Sequence, residues 1–567
     1  MNPDEMPLEE FIALPTTIAL HIRYSISLRR FLEERPFIHL GKVARGDQAV
    51  IYLNQYRVNE VITDLGPNRI NIFPSVLGLL GRPDLEAAGI TQVQNQPYLD
   101  LRGQGVLLGF IDTGIDYTNK AFIYEDGTSK IRSIWDQTID GKNPEGYYFG
   151  SEYTNEQINE AIQAENPFTI VPHKDDVGHG TFLASVAASR ESGEYIGAAP
   201  DSEIIVVKLK KASPYYINQY LVPPEQENVF ESTDVMLGIE YMIEKASELM
   251  RPISICIGIG TNIGGHDGFN VLEEYLTSVS GLTGVCVCAA AGNESNTRLH
   301  TSGRLSREEE NRSIEIRVEQ NSYSFPIYLW NNAPDRISVA VRSPGNEIVG
   351  PVPARTGTLL ERRLILEKST VSIQYILPVE GSGSQLTIIK ILNPTPGIWT
   401  IITYGDIILD GTYNAWLPIT GFVSPGVRFL APIPNDTIVI PSTSKGTITC
   451  GAYNSATNSL YFNSSWGPTR RPIISPDLVA PGVDVEGIYP INYGVMTGTS
   501  VAASITAGAC ALMLQWGVVE GNNISLNTFR IRAYLIRGSI RDNDIEYPNY
   551  QWGFGRLNLL NVFNQLR

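Results

Sequence analysis

Four polar residues stand where this chain could do chemistry. Asp112 closes the apolar run Val106-Leu107-Leu108-Gly109-Phe110-Ile111 and is followed by Thr113-Gly114. His179 lies in Asp175-Asp176-Val177-Gly178-His179-Gly180-Thr181, just ahead of a helical pattern, and its flanking glycines let the backbone bring an imidazole close to another segment. Asn293 ends Ala289-Ala290-Ala291-Gly292-Asn293-Glu294, again past an apolar run. Ser500 sits in Met496-Thr497-Gly498-Thr499-Ser500-Val501-Ala502-Ala503, where a helix of small residues begins. Acyl transfer to a serine needs a hydroxyl nucleophile, a base in hydrogen-bond reach, an acid that orients the base, and donors for the developing oxyanion. A carboxylate at the carboxyl end of a parallel strand lies where α/β proteins place their sites. A serine at a helix N-terminus gains a favourable field as its oxygen becomes anionic. Each residue alone also has a plain reading: a turn aspartate, a histidine near a helix start, a turn asparagine, an N-cap serine.

The elements that must position these residues are legible in outline. From about Gly105, short apolar runs alternate with helical patterns. Ser202 to Lys208, Ile253 to Ile259 and Gly284 to Ala290 read as strands, and Thr181 to Ser189, Ser232 to Glu248 and Val501 to Gln515 as helices. Strand and helix at this spacing predict a parallel sheet covered on both faces. Residues from about 297 to 445 break the rhythm. Ser313 to Val318, Arg336 to Val341 and Leu386 to Ile391 alternate apolar with polar, and Asn331-Asn332, Pro344-Gly345 and Pro396-Gly397 supply turns. This pattern predicts an inserted antiparallel β-sandwich. Ahead of both, residues 1 to about 95 read as a small mixed unit. It has a helix over Ile18 to Leu32, strands at Ala49 to Leu53 and Arg69 to Ile72, and a Leu-rich helix from Pro74 to Ala88 ended by Gly89.

Taken together, these frames resemble the subtilisin-like (subtilase) family of serine proteases. Asp112-Thr113-Gly114, Gly178-His179-Gly180-Thr181 and Gly498-Thr499-Ser500-Val501-Ala502 are similar to its aspartate, histidine and serine motifs, in the family's order. Gly197-Ala198-Ala199-Pro200, Ser464-Ser465-Trp466-Gly467-Pro468 and Leu478-Val479-Ala480-Pro481-Gly482 match supporting stretches. The likeness covers about 100 to 294 and 446 to 567. It implies Ser500 as nucleophile, His179 as general base and then acid, Asp112 as the imidazole's orienter, and Asn293 with the Ser500 N–H as oxyanion donors. It further implies that Ile257-Gly258-Ile259-Gly260 pairs with an extended substrate and, with Ala290-Ala291-Gly292, lines the primary specificity pocket. Phe182 and Ser504 depart from residues common in the histidine and serine motifs, but neither touches proton transfer. Ile259 adds bulk where the family often has glycine, and Ala212 to Glu231 is an insertion rich in Tyr and Pro. Both point to narrow specificity.

The expected organisation is a prodomain over 1–96, a catalytic domain over 97–296 and 446–567, and an inserted jelly-roll-like domain over 297–445. It is similar to that of the Csp proteases of clostridial spore germination. In that family an active member cleaves the proform of a spore cortex-lytic hydrolase, and members lacking triad residues serve as non-catalytic sensors. With all four site residues present, an active, selective endopeptidase is the expectation, and a sensor or scaffold on the same fold the alternative. The polar stretch Gln92 to Gln96 is expected to present a self-cleavage bond after Gln94 or Gln96. The freed prodomain would then be a partner alongside the protein substrate.

Composition limits the remaining classes. The 567 residues carry a formal charge of −17, which disfavours nucleic acid and anionic membranes. Met1-Asn2-Pro3-Asp4-Glu5 lacks the regions of a signal peptide, so cytoplasmic synthesis is expected, with incorporation into a spore implied by the resemblance. Five cysteines, all in apolar runs, read as buried thiols. The uncharged stretch from Gly487 to Val519 reads as a buried globular helix and not a membrane span. The family often binds calcium, but no compact carboxylate loop assigns ligands, so no metal or cofactor is expected. Trp330, Trp399 and Trp416 could stack on sugars, although such residues more often pack a core.

Overall fold

The run that ends at Asp112 is an interior strand of a nine-stranded sheet. In this computed structural model the described residues are 83–191 and 195–566, with 16–23, 26–44 and 48–58 and positions 11, 60 and 61 near the N-terminus. Across the sheet the strands run Ser459–Leu460, Ile448–Asn454, Val285–Ala290, Ile253–Ile257, Leu107–Asp112, Glu203–Lys208, Ile131–Asp136 and Ser151–Thr154, with Leu478–Pro481 also paired to Ile448–Asn454. All pairings are parallel except those of Ser151–Thr154 and Ser459–Leu460. Strands buried on both faces must be apolar at every position, which is why Leu107–Asp112 is continuous and not alternating.

Parity along the strands divides two cores. Leu108, Phe110, Ile204, Val206, Cys286 and Cys288 face the helices His179–Ala188 and Thr499–Leu514. Leu107, Ile111, Ile205, Val207, Ile253 and Ile255 face Ser232–Glu248 and Val271–Val279. Both site-bearing helices therefore lie on one side of the sheet. The stretch Thr499–Val519 is apolar and long enough to cross a membrane, but 89% of its most apolar window is buried inside the protein. All five cysteines are unpaired and buried.

Residues 297 to 445 contain two antiparallel sheets. One runs His300–Arg304, Thr412–Trp416, Phe325–Asn331, Gln385–Leu392, Thr370–Ile376 and Leu359–Arg363. The other runs Ile348–Val352, Arg336–Arg342, Gly397–Ile407, Asn311–Val318 and Arg428–Phe429. Ile316, Val339, Ile373, Ile389 and Trp399 from both sheets share one core. The three tryptophans offered for sugar stacking are all buried: Trp399 and Trp416 at 0% exposure and Trp330 at 5%. The Trp416 ring lies 4.2 Å from that of His266, stacked on it, and so packs the insertion against the catalytic part.

One N-terminal expectation needs correction. Residues 1–79 and 80–567 form two compact units, and the boundary expected at 96 lies within the second. Residues 83 to 94 belong to the larger unit as the short helices Pro83–Ala87 and Ile90–Gln94. Ala88, Ile90 and Val93 join its core, and Leu559 N–H donates to Ala88 O at 2.8 Å. Helices of five residues leave too little periodicity to reveal this packing. The single helix expected over Ile18 to Leu32 is instead a strand, Thr17–Arg23, followed by a helix, Ile26–Glu33. Ile18, Leu20 and Ile22 have the period of two that a strand requires. The strand reading at Ala49 to Leu53 corresponds to Gln48–Asn54 in a three-stranded sheet. The strand expected at Arg69 to Ile72, and most of the helix expected from Pro74, lie outside the described residues.

Candidate active site

Asp112 is the last residue of its strand, and the chain turns sharply at Gly114, whose φ is 119°. The turn is fastened to the histidine helix. Thr113 N–H donates to Asp112 Oδ1 at 2.8 Å and Gly180 N–H to Thr113 Oγ1 at 3.0 Å. A Cβ on Gly180 would meet Gly114 O at 2.2 Å, so glycine there allows the helix to approach the turn. Asp175 completes the fastening. It accepts from Thr113 Oγ1 at 2.8 Å, Gly178 N–H at 2.8 Å, Thr181 N–H at 2.8 Å and Thr181 Oγ1 at 2.7 Å. Burial opposes its charge, but these donors hold its carboxyl below the usual carboxylate range.

The result is a relay. His179 Nδ1 lies 2.7 Å from Asp112 Oδ1, and His179 Nε2 lies 3.3 Å from Ser500 Oγ. Burial works against an imidazolium at His179. The Asp112 charge and hydrogen bond, with the Asp175 charge, outweigh that and raise its pKa above the ordinary imidazole value. Ser500 is the second residue of its helix, with Gly498 as N-cap. Asn293 Oδ1 accepts from Thr499 N–H at 3.0 Å and from Thr499 Oγ1 at 3.2 Å. That leaves the Asn293 amide nitrogen as a donor beside the serine: a Cβ on Gly498 would lie 3.5 Å from both Asn293 Nδ2 and Ser500 Oγ. Gly498 therefore borders the small space shared by the nucleophile and the oxyanion donor.

The residues expected to bind substrate stand at the ends of the two neighbouring strands. Gly258, Ile259 and Gly260 follow Ile253–Ile257 and are partly exposed. A Cβ on Gly258 would sit 3.2 Å from His179 Cε1 and 3.3 Å from Asp112 Oδ2, which places this backbone alongside the catalytic pair. Ile257, Ala290 and Ala291 have buried side chains, so a role in substrate binding falls to their backbone. Gly292 N–H donates to Thr499 Oγ1 at 3.0 Å, linking the second strand end to the serine helix.

Gln94 and Gln96 are not at this site. Gln94 is 3% exposed on Ile90–Gln94, and its amide donates to Gly197 O at 3.0 Å and Ala198 O at 2.9 Å. Gln96 N–H donates to Val93 O at 3.4 Å in the turn that follows. The segment is folded into the catalytic unit as a short helix and turn. Sequence reading also passed over Asp175, Thr113 and Thr499 as functional residues. Asp175 and Thr499 lie inside the quoted histidine and serine frames, and Thr113 directly follows Asp112, so adjacency was the available signal.

Nothing in this arrangement requires a metal for acyl transfer. Among the described residues, one group able to hold an ion is Cys286, Cys288 and Cys510, buried between the sheet and the helix Thr499–Leu514 and not at the relay.

A model of the subtilase family matches residues 103–340 and 433–555. The solved structure of the Clostridium perfringens CspB protease is similar at 30% identity, covering 85% of this chain and 97% of that one with a TM-score of 0.76. The minor extracellular protease Vpr of Bacillus subtilis is 22% identical over 82% of this chain and 52% of its own length. The subtilisin-like protease SBT2.2 of Arabidopsis thaliana is 22% identical over 73% of this chain and 54% of its own length. The chain thus spans about half the length of these two curated relatives.

Proposed function

The chain belongs to the subtilase family, and from that premise we propose that it is an active serine endopeptidase acting on a restricted protein substrate. The observation that carries the reading is the relay from Asp112 through His179 to Ser500, with Asn293 pinned beside it by Thr499. Ser500 Oγ attacks the peptide carbonyl carbon while its proton passes to His179 Nε2. Asp112 holds the ring by Nδ1 and stabilises the imidazolium. The oxyanion takes hydrogen bonds from the Asn293 amide and the Ser500 N–H. Collapse expels the amine, which takes the proton from Nε2, and water repeats the sequence on the acyl-enzyme. The 3.3 Å between Nε2 and Oγ is longer than a strong hydrogen bond and is expected to shorten when substrate is bound.

Two finer points belong to the same proposal. The substrate is the proform of a spore cortex-lytic hydrolase, and the protein is made in the cytoplasm and carried into the spore. The architecture shared with the CspB protease supports this reading. The protein also cleaves itself, at the bond expected after Gln94 or Gln96. Intact-mass analysis after alkyl fluorophosphonate treatment tests the activity. Wild type is expected to gain one adduct and Ser500→Ala none. An unlabelled wild type favours the sensor reading. Native mass spectrometry tests the processing: two fragments are expected from wild type and one intact chain from Ser500→Ala. Equal processing in both would assign the cut to another protease.

A further inference from the structure

The two strand ends beside the relay each carry a glycine whose missing side chain matters. A Cβ on Gly260 would stand 2.4 Å from Val439 Cγ2 and 3.1 Å from Val439 Cβ. A Cβ on Gly292 would stand 2.6 Å from Val439 Cγ1 and 3.1 Å from Cγ2. The Val439 isopropyl group thus occupies the space between the two ends, one methyl against each wall. Val439 is 4% exposed and firmly held. Its N–H donates to Ala291 O at 2.9 Å. The next residue, Ile440, exchanges hydrogen bonds with Thr261 at 2.9 and 2.8 Å, and Ser442 Oγ donates to Ala290 O at 2.6 Å. Residues 439 to 442 therefore join the two strand ends and fix the valine between them. Ile259, the residue expected to narrow the pocket, packs instead against the cluster that includes Val235 and Ile239.

We propose that Val439 is a specificity-determining residue. It fills the floor of the primary pocket and confines the residue on the acyl side of the scissile bond to a side chain about the size of alanine or serine. The inference rests on the peptidase reading above and names its substrate class: protein segments cut after a small residue. A slot walled by two backbone segments admits a long or flat side chain only if its floor is empty. Here the floor is a buried β-branched side chain on a segment that hydrogen-bonds to both strand ends, and close-packed interiors do not yield to added volume without strain.

The test compares two peptidyl diphenyl phosphonates, Ala-Ala-Ala-Ala and Ala-Ala-Ala-Phe in type, which react with the serine only when their terminal side chain is accommodated. Labelling rates are read by intact mass and divided, for each protein, by the rate with an alkyl fluorophosphonate. Wild type is expected to favour the alanine probe by about 100-fold or more, since single methylenes in a pocket discriminate by about 10–200-fold. Val439→Gly should reduce that preference by about 10–100-fold, and Val439→Ala should move it in the same direction if the glycine variant does not fold. Wild type that reacts with the fluorophosphonate but labels equally with both probes, or with neither, overturns the proposal, as does an unchanged preference in both variants. Absence of fluorophosphonate labelling in wild type is a different failure: it removes the peptidase reading, and the pocket reading with it.

Discussion

Among the described residues, two aspartate–histidine pairs have nearly the same dimensions. In one, His179 Nδ1 lies 2.7 Å from Asp112 Oδ1; in the other, His173 Nδ1 lies 2.6 Å from Asp136 Oδ2. They differ in what the second ring nitrogen meets. His173 Nε2 accepts the Ile115 N–H at 3.1 Å, and both side chains of its pair are wholly buried. His179 Nε2 faces the Ser500 hydroxyl, and its side chain is 28% exposed. The Ile115 bond fixes His173 in the tautomer that donates from Nδ1, with no free lone pair to take a proton. That ring is a brace: it supports the turn after Asp112 from beneath, close enough that a Cβ on Gly114 would meet His173 Cε1 at 3.0 Å. An aspartate beside an imidazole is therefore not a catalytic device by itself. A hydroxyl at the far nitrogen and an oxyanion donor beyond it make it one.

Removing each histidine should separate the two roles. His179→Ala is expected to lower kcat by about 10⁶-fold with the fold intact, a magnitude carried over from subtilisin. His173→Ala leaves Asp136 buried without its partner. Burial opposes the Asp136 charge, and the hydrogen bonds from His173 and Thr138 hold its carboxyl below the usual range. Loss of that partner should cost about 3–5 kcal/mol in urea-denaturation stability. A fully stable His173→Ala protein that had lost activity like His179→Ala would erase the distinction between the pairs.

The oxyanion side sharpens the comparison with a smaller effect. Asn293→Ala should lower kcat by about 10²–10³-fold with little change in KM, because the amide acts on charge that develops only in the transition state. Steady-state kinetics on a peptide substrate decides this. A rise in KM at constant kcat would assign Asn293 to ground-state binding.

The site was largely legible because its residues come with their neighbours. Glycines flank His179, an apolar strand precedes Asp112, and a helix of small residues follows Ser500, all within a few positions. His173, in Val171-Pro172-His173-Lys174, has no such frame, and its pairing with Asp136 depends on strand Ile131–Asp136 lying across the sheet. Val439 was illegible for the same reason. Nothing in Thr437-Ile438-Val439-Ile440-Pro441 reports that the chain returns there, through the whole β insertion, to meet Gly260 and Gly292. The alternation of the insertion gave away its antiparallel sheets, whereas the mixed periods of Thr17–Arg23 and Ile26–Glu33 were merged into one helix. Local chemistry shows in sequence; closure between distant segments does not.

The smallest expected effect concerns pH. Only neutral His179 can take the serine proton, so kcat/KM should rise with pH through the His179 pKa of the free protein. That pKa is raised despite burial, chiefly by the Asp112 charge and hydrogen bond, so the acid limb should lie above the ordinary imidazole value of about 6.5. The sign follows from the charge: a carboxylate favours the imidazolium, and the imidazolium is the inactive form. Asp112→Asn removes the charge and should move the limb to lower pH while the plateau falls by about 10⁴-fold, again on subtilisin-like precedent for a misoriented ring. His173→Asn, with the His173 ring gone but Asp112 and Asp175 in place, should keep the limb where wild type has it at any temperature where the variant is folded. Profiles of kcat/KM from pH 5 to 9 for the three proteins decide the matter. A limb that followed His173 would make the buried pair the titrating group and reverse the roles assigned to the two histidines.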